Sequence, residues 1–570
     1  MILKALYDYY QRCGDLPELG MEEKQIGFLL VISKDGRFLR FEDCRIGKDQ
    51  ARSYLVKKHV SRSSAAVANY LYDVSSYVFG FSLKTNGKEQ LCFDTFKEKI
   101  DTIYKAFPYS VEMQALVEFY KQGRDSILEC LKQDPLWVDI TKNLTKKYSF
   151  FSFRIEGDLQ IVAEKQYLLQ QDAASTSTEN DEHVCLVTGS LGKPVEITTA
   201  SMIPGSQACA KLVAFQVNSG YDSYGKSKCA NAPISEEAEF AYTTALNTML
   251  RKDSHNRFMV GSRTFLFWAS SNNEAALQAE GGLFDLLGIQ EETNDDPNAK
   301  IKQVREVFMS IYSGELHTSI EDKFYLLGLA PNSARIAVVY WQESPLKEFA
   351  EKILQHFGDM EIADSRKDKR PYAGLRSMLA AVTLGGKSSD VTPNLPEAVI
   401  KSIFQGIPYP YALYTACIRR IRAEQNLAVT RAAIIKAYLN RLKDNNKKIT
   451  IMLDKENNNQ GYVCGRLFAV LVKLQEDANN INSVRERYMN AASATPASVF
   501  ATLLNLSTHH AEKLSEPAKI FYEKLMQEIF AKLSADGFPA HLDMQDQGRF
   551  FVGYYHQRED LFKGKKEITI

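Results

Sequence analysis

Asp546-Gln-Gly-Arg-Phe-Phe-Val-Gly-Tyr-Tyr-His-Gln-Arg-Glu-Asp-Leu-Phe562 is the most distinctive stretch of this 570-residue chain. Arg549, His556 and Arg558 alternate there with Phe550, Phe551, Tyr554 and Tyr555. Two physical readings compete. In one, the segment is a terminal helix with its aromatics in the core and its charges wet. In the other, Arg549 and Arg558 hold phosphates in planar forks while a ring such as Tyr555 receives an unpaired base. Composition alone favours the first, because aromatic side chains are mostly interior.

The sequence upstream keeps helical periodicity. Ala428, Ala432, Ile435, Leu439 and Leu442 share one face. Leu467, Leu471, Leu474, Ala478 and Ile481 share a second, and Leu514, Ala518, Phe521, Leu525, Ile529 and Leu533 a third. Thr495-Pro496 reads as an N-cap with proline in the first helical position. Residues 391–570 therefore read as a helical bundle.

Earlier in the chain the period changes to two. Ile26-Gly-Phe-Leu-Leu-Val-Ile32, a Lys34-Asp-Gly36 turn, and Phe38 and Phe41 alternating with Arg37 and Arg40 predict a β-hairpin. Strands are also expected at 150–155, 184–187, 212–217, 264–268 and 336–341. A helix is expected from Ser235 to Leu250, with Ser235 as N-cap and Glu236 and Glu237 at the positive end of the dipole. The fold class is α+β: a mixed α/β portion with antiparallel strands over 1–390, then the bundle. Gln171–Glu182 is polar and low in complexity and marks a sub-boundary. Glu291–Asn298 is an acidic loop, and Gly385–Pro396, rich in Gly, Ser and Pro, is the expected domain boundary.

Length sets a prior of two or three domains, and 45% hydrophobic residues supply ample core. Nine cysteines, an odd number without a Cys-x-x-Cys pair, support neither a zinc ribbon nor a redox motif and suit reduced thiols. No run approaches the roughly 18 apolar residues of a membrane span, so the chain reads as soluble and cytoplasmic, with no membrane partner.

Net charge is zero, so charge matters only regionally. Between Lys401 and Lys443 lie Lys401, Arg419, Arg420, Arg422, Arg431, Lys436, Arg441 and Lys443, with Glu424 the lone acid, an excess of seven. Such segregation suits a groove that tracks a phosphate backbone, or a solvated face compensated by acids elsewhere. A second basic patch holds Arg52, Lys57, Lys58, His59 and Arg62, followed by Ser63, Ser64 and Asn69. Lysine and arginine can hold phosphates there, and Asn and Ser can also read base edges; an ordinary surface loop is the alternative. Between the expected strand and the Ser235 helix lies Gly220-Tyr-Asp-Ser-Tyr-Gly-Lys-Ser-Lys228. Ser223, Tyr224, Gly225, Lys226, Lys228 and Asn231 combine tight-turn freedom, cations and a flat ring, although the spacing is not that of a Walker A loop.

Catalytic motifs are scarce. His509, His510, His541, His556, Asp543 and Asp546 could serve a metal-dependent nuclease. Adjacent helical residues point about 100° apart, however, so His509 and His510 rarely share a metal. His-Glu-x-x-His, Gly-x-Ser-x-Gly and Gly-x-x-x-x-Gly-Lys-Ser/Thr are all absent from the sequence.

Several stretches, in order, carry a resemblance. They are Met1-Ile-Leu-Lys-Ala-Leu-Tyr-Asp-Tyr-Tyr10, Ser223-Tyr-Gly-Lys226 with Asn231-Ala-Pro233, Phe240-Ala-Tyr-Thr-Thr-Ala-Leu246, Leu327-Gly-Leu-Ala-Pro331, Ala491-Ala-Ser-Ala-Thr-Pro-Ala-Ser-Val-Phe500 and the C-terminal stretch. Together they resemble the large subunit of the type I-C CRISPR Cascade complex, nearly end to end. The resemblance implies a non-catalytic, cofactor-free subunit of an RNA-guided defence complex. It would recognise the protospacer-adjacent motif (PAM) in target duplex DNA, help start strand separation and support the R-loop. Its implied partners are target DNA and its displaced strand, the guide-RNA ribonucleoprotein with its other subunits, a helicase-nuclease, and a small helical subunit. That subunit can arise from an internal translation start, for which Met452 would give residues 452–570. On residue chemistry, motif recognition falls to Lys57, Lys58, Arg62, Ser63 and Asn69 and to the Ser223–Asn231 loop. Displaced DNA falls to Arg419, Arg420, Arg422, Arg431, Lys436, Arg549, Tyr555 and Arg558. A metal-dependent nuclease and a protein-only scaffold are the alternatives.

Overall fold

The computed structural model describes residues 1–567 except 48, 61, 63–65, 84–86, 170–182, 216–221, 223, 287–296, 366–373, 388–389 and 443–447, with backbone alone for 297–302 and 563–567. The low-complexity segment 171–182 and most of the acidic loop thus lie outside the described residues. The chain forms two compact units that do not follow chain order: 13–197 with 215–244, and 1–12 with 198–214 and 245–570.

The unit built on 13–197 is organised by Phe28–Ile32, whose five residues are all buried. An unbroken apolar run of that length suits a central strand covered on both faces. It pairs antiparallel with Phe38–Asp43 and parallel with Phe150–Ile155, which in turn pairs antiparallel with Tyr72–Val74. The hairpin turn places Gly36 at φ +77°, where a Cβ would also meet the backbone of the helix Val111–Lys121. Phe93, Phe96 and Ile100 of the helix Glu89–Ala106, with Met113, Leu116 and Phe119, seal the sheet. Phe28 stacks on Phe151 at 5.7 Å. A separate ribbon pairs Met21–Gln25 with Ser53–Lys57.

The other unit holds an antiparallel sheet of Arg257–Val260, Arg263–Ala269, Lys323–Asn332 and Arg335–Pro345, in that spatial order. Phe265, Phe267, Phe324 and Leu326 enter one core with the helices that follow, and Phe324 stacks on Phe349 at 4.3 Å. That core runs without interruption from Phe258 to Tyr555, past 385–396. The helices Tyr411–Glu424, Val429–Asn440, Gln460–Asn479, Ser483–Ala494, Phe500–Ala511, Glu516–Phe530 and Met544–Glu567 form the C-terminal region. The expected α+β class is what the chain adopts.

The helices 460–479 and 544–567 touch backbone to backbone. A Cβ on Gly465 would lie 2.8 Å from the Phe550 carbonyl carbon and 2.9 Å from Tyr554 N, while Gly461 and Gly553 face the Asp546 and Tyr462 carbonyls. The signal was present as Gly461-Tyr-Val-Cys-Gly465, a spacing that sets two glycines on one helix face.

Some expectations need correction. Residues 212–215 form no strand, and 184–187 gives only the two-residue strand His183–Val184 followed by a turn. Thr495-Pro496 does open a helix with proline in its first turn, but the helix is a single 3₁₀ turn, Pro496–Ser498, and Thr495 makes no side-chain cap hydrogen bond. In 516–530 the buried face is centred on Tyr522 and Ile529, and Phe521 is exposed. Tyr522 wins because its hydroxyl also reaches Asp477, at 2.5 Å.

Candidate nucleic-acid interface

The basic patch at 57–69 is largely engaged in holding its own loop. Lys57 Nζ lies 4.1 Å over the Tyr70 ring, and Lys58 Nζ lies 3.7 Å from Glu239. Arg62 packs over Tyr77 at 3.9 Å, donates through Nε to the Val67 carbonyl at 2.7 Å, and pairs with Asp73. Asp73 is fully buried and also accepts from the backbone N–H groups of Asn69 and Val74, both at 2.8 Å. Burial outweighs the Arg62 guanidinium and holds the Asp73 carboxyl above its ordinary range. Asn69, expected to read a base edge, is itself buried, and its Oδ1 accepts from Val60 N at 2.9 Å. Asn69 and Arg62 are thus loop ties, and Ser63 lies outside the described residues. Glu22 fixes the other end, accepting from His59 Nδ1 at 2.8 Å and Tyr72 OH at 2.9 Å.

The loop before the 236–249 helix is more open. Ser235 caps that helix, its hydroxyl accepting from Ala238 N at 3.2 Å. Tyr224 and Gly225 are consecutive left-handed residues, at φ +53° and +72°, which forces a tight reversal. Tyr224 stands 99% exposed at this turn, and Lys226 beside it is exposed with no partner among the described residues. Asn231 clamps the loop by donating its amide to the carbonyls of Lys226 at 3.1 Å and Lys228 at 3.2 Å. Lys228 pairs with Glu196 at 2.9 Å, a surface contact of little energetic weight. Ser223 lies outside the described residues. The result is an exposed flat ring and an exposed cation on one pinned turn.

The C-terminal candidates separate into two groups. Arg431 is buried and saturated by the carbonyls of Ala381 at 2.9 Å and Asn426 at 3.0 Å and by Glu424 at 2.6 Å. Lys436 is 2% exposed, donating to the Gly358 carbonyl at 3.3 Å, and burial lowers its pKa. Tyr555 is core, its hydroxyl on the Ala363 carbonyl at 2.8 Å, in line with the interior reading of the terminal aromatics. These three side chains cannot meet a phosphate or a base from where they sit. Arg419 is exposed, Arg420 pairs with Glu424 at 3.0 Å, and Arg422 donates to Gln547 at 2.8 Å. Arg549 pairs with Asp546 at 3.0 Å, and Arg558 lies 5.5 Å over Phe562. Sequence reasoning passed over Tyr411, a half-exposed ring on the helix that carries Arg419 and Arg422.

His556 is buried with Nδ1 2.9 Å from Tyr462 OH, and burial pushes its pKa down to about 3. His509 and His510 end the 500–511 helix, whereas Asp543 accepts from Asp546 N at 2.7 Å at the start of the 544–567 helix. Among the described residues no three His, Cys, Asp or Glu side chains are grouped to hold a metal ion, and no helix is long and apolar enough to cross a membrane. All nine cysteines are free thiols.

Fold and surface together define an α+β protein of two compact units that presents aromatic rings next to cations. The chain belongs to the Cas_Csd1 family of CRISPR-associated proteins, whose family model matches residues 6–562. No curated protein matches the chain. Family membership supports a place in CRISPR defence as part of a multi-subunit complex.

Proposed function

We propose that the chain is the non-catalytic large subunit of a type I-C Cascade complex, which recognises the PAM in duplex DNA and promotes unwinding. In this reading it also stabilises the R-loop and helps recruit the helicase-nuclease. Family membership over nearly the whole chain is the observation that carries the reading. The Tyr224–Lys226 turn supports it locally: Lys226 anchors a phosphate, and the adjacent ring receives a base as strands part. Lys57 and Lys58 contribute positive field beside the pinned loop. Guide RNA reads the remaining sequence by pairing, as in other RNA-guided systems.

The test is target-duplex binding by the reconstituted guide-RNA complex, with and without this chain, on duplexes with intact or scrambled motifs across a salt series. Motif-dependent binding that requires the chain, without cleavage, is expected; equal binding in its absence would sink the proposal. Lys226→Ala should weaken binding equally across motifs and reduce the salt slope by about 0.9, the value for one phosphate on B-DNA. The small subunit is read as residues 452–570, where Met452 is exposed ahead of the 460–479 helix. Intact mass of the purified complex should show that fragment, and its absence would count against the internal start.

A further inference from the structure

Arg419 and Arg422 share their helix with an exposed tyrosine. We propose that one face of the 411–424 helix, carrying Tyr411, Arg419 and Arg422, is a binding strip for single-stranded DNA, with Tyr411 as its base-stacking residue. The inference rests on the reading above that the chain handles DNA. It adds a base-receiving residue in the C-terminal region, a role the buried rings of the terminal helix cannot fill.

Spacings of eight and three residues bring these three side chains within about 80° of one another, at 100° per residue. From Tyr411 to Arg422 the strip is about 16 Å long at 1.5 Å per residue, room for two or three nucleotides. Tyr411 is 57% exposed, and its ring lies 6.2 Å from Tyr414 and 6.4 Å from Tyr438. Those two rings are buried and stacked at 4.2 Å, and Tyr414 OH is bound to the Met544 carbonyl. Pro408 and Pro410 restrict the chain just ahead of the helix. An exposed ring backed this way loses little freedom when a base stacks on it.

The charge beside it is unneutralised. Arg419 is exposed and has no partner among the described residues. Arg422 uses one nitrogen on Gln547, while its Nε is buried without a hydrogen-bond partner. The nearby carboxylates are already occupied: Glu424 by Arg420 and Arg431, Asp546 by Arg549 and Asn459. Two guanidinium groups without an acid, in line with a supported ring, match alternating phosphates and an unpaired base. A paired duplex offers no free base face, so the ligand is single-stranded.

The experiment uses the full-length chain and single-stranded oligonucleotides carrying 2-aminopurine, whose fluorescence is quenched by stacking. The wild-type chain should quench it. Tyr411→Ala should abolish quenching and weaken binding between about 5-fold and about 150-fold, the range for one lost base–aromatic stack. Tyr411→Phe should retain both. Tyr411→Leu, which keeps the apolar packing and so guards against misfolding, should lose quenching as the alanine variant does. Arg419→Ala should keep saturating quenching and reduce the salt slope by about 0.7, the single-strand value. No quenching by the wild type, or quenching and affinity unchanged in Tyr411→Ala and Tyr411→Leu, overturns the inference. Motif-dependent duplex binding by the complex is a separate readout. Its loss with stacking intact overturns the proposed function alone, and the reverse overturns only the strip.

Discussion

Gly465→Ala should destabilise the larger unit even though alanine is the better helix former. At an open helical site the exchange gains up to about 1 kcal/mol, because glycine carries more backbone entropy to lose. At Gly465 the new methyl would stand 2.8 Å from the Phe550 carbonyl carbon, closer still to its oxygen, and 2.9 Å from Tyr554 N. Ordinary van der Waals contact begins near 3.4 Å, so the helices 460–479 and 544–567 must part by at least half an ångström. Both obstructing groups are backbone, so no side chain can swing aside. A radial gap of 0.5–1 Å forfeits roughly a quarter to a half of each dispersion contact, and the contacts at stake include Phe468 on Phe550 at 5.7 Å and on Tyr554 at 5.7 Å. Overpacking of this kind costs about 1–3 kcal/mol and sometimes more, so a net loss of about 2 kcal/mol is expected after the helix gain. Gly281→Ala is the matched control, mid-helix in 274–286 with nothing within 4 Å of its Cβ. It should stabilise by about 0.5–1 kcal/mol. Denaturant unfolding of the two variants, followed by far-ultraviolet circular dichroism, reads the pair. Gly465→Ala matching or exceeding wild type would refute the close-contact argument, as would equal losses at both positions.

Other consequences are simpler to state. His356 and His556 are buried and held neutral, with pKa values pushed down to about 3, chiefly by desolvation. Unfolded imidazoles titrate near 6.5, so between those values the unfolded chain binds more protons. Their stability contribution is complete above pH 6.5 and falls as pH drops, by about 2 kcal/mol each at pH 5. Denaturation across pH 5–7.5 should show this, with a shallower dependence in His556→Gln; an unchanged slope would sink the assignment. Lys436→Met removes a buried ammonium that donates to one carbonyl, so stability should hold or rise and DNA affinity should stay unchanged. A selective loss of DNA binding would return Lys436 to the interface. Asp73→Ala leaves Arg62 without its carboxylate and the N–H groups of Asn69, buried, and Val74, half-buried, without their acceptor, which should cost about 3 kcal/mol in the smaller unit, read by denaturant unfolding. Wild-type stability would mean that the loop is pinned elsewhere.

Elements that depend on local pattern were legible from sequence. The 28–43 hairpin, the 150–155 strand and the Ser235 cap follow from alternation, a glycine turn and a hydroxyl at a helix start, all of which act within a few residues. The helix 516–530 was found but its face was displaced, because periodicity cannot rank Phe521 against Tyr522 when only the second meets Asp477. The glycine contact between 460–479 and 544–567 was equally visible as letters, but its meaning depends on which helix lies opposite. No single-helix pattern carries that information.

The charge count over 401–443 meets a different physical limit. An excess of seven between Lys401 and Lys443 looks like a phosphate-tracking face only if the cations point outward. Arg431, Lys436 and Arg441 instead turn inward, and Arg441 meets Asp359 at 2.6 Å and the Ile407 carbonyl at 2.8 Å. Part of the compensation comes from Glu424 and from the Asn426 and Ile407 carbonyls inside the window, but Asp359, the Gly358 carbonyl and the Ala381 carbonyl lie outside it, so a charge count over 401–443 cannot register them. What remains outside is Arg419 with Arg422, alongside Tyr411; in the smaller unit it is Lys226 alongside Tyr224. In both places a cation with no acidic partner among the described residues shares a short segment with an exposed ring held by rigid backbone or stacked neighbours. Exposure without a partner, rather than abundance, is therefore the property that marks a cation as available to a phosphate. By that criterion Arg419 and Lys226 stand out among the cations that the sequence had marked.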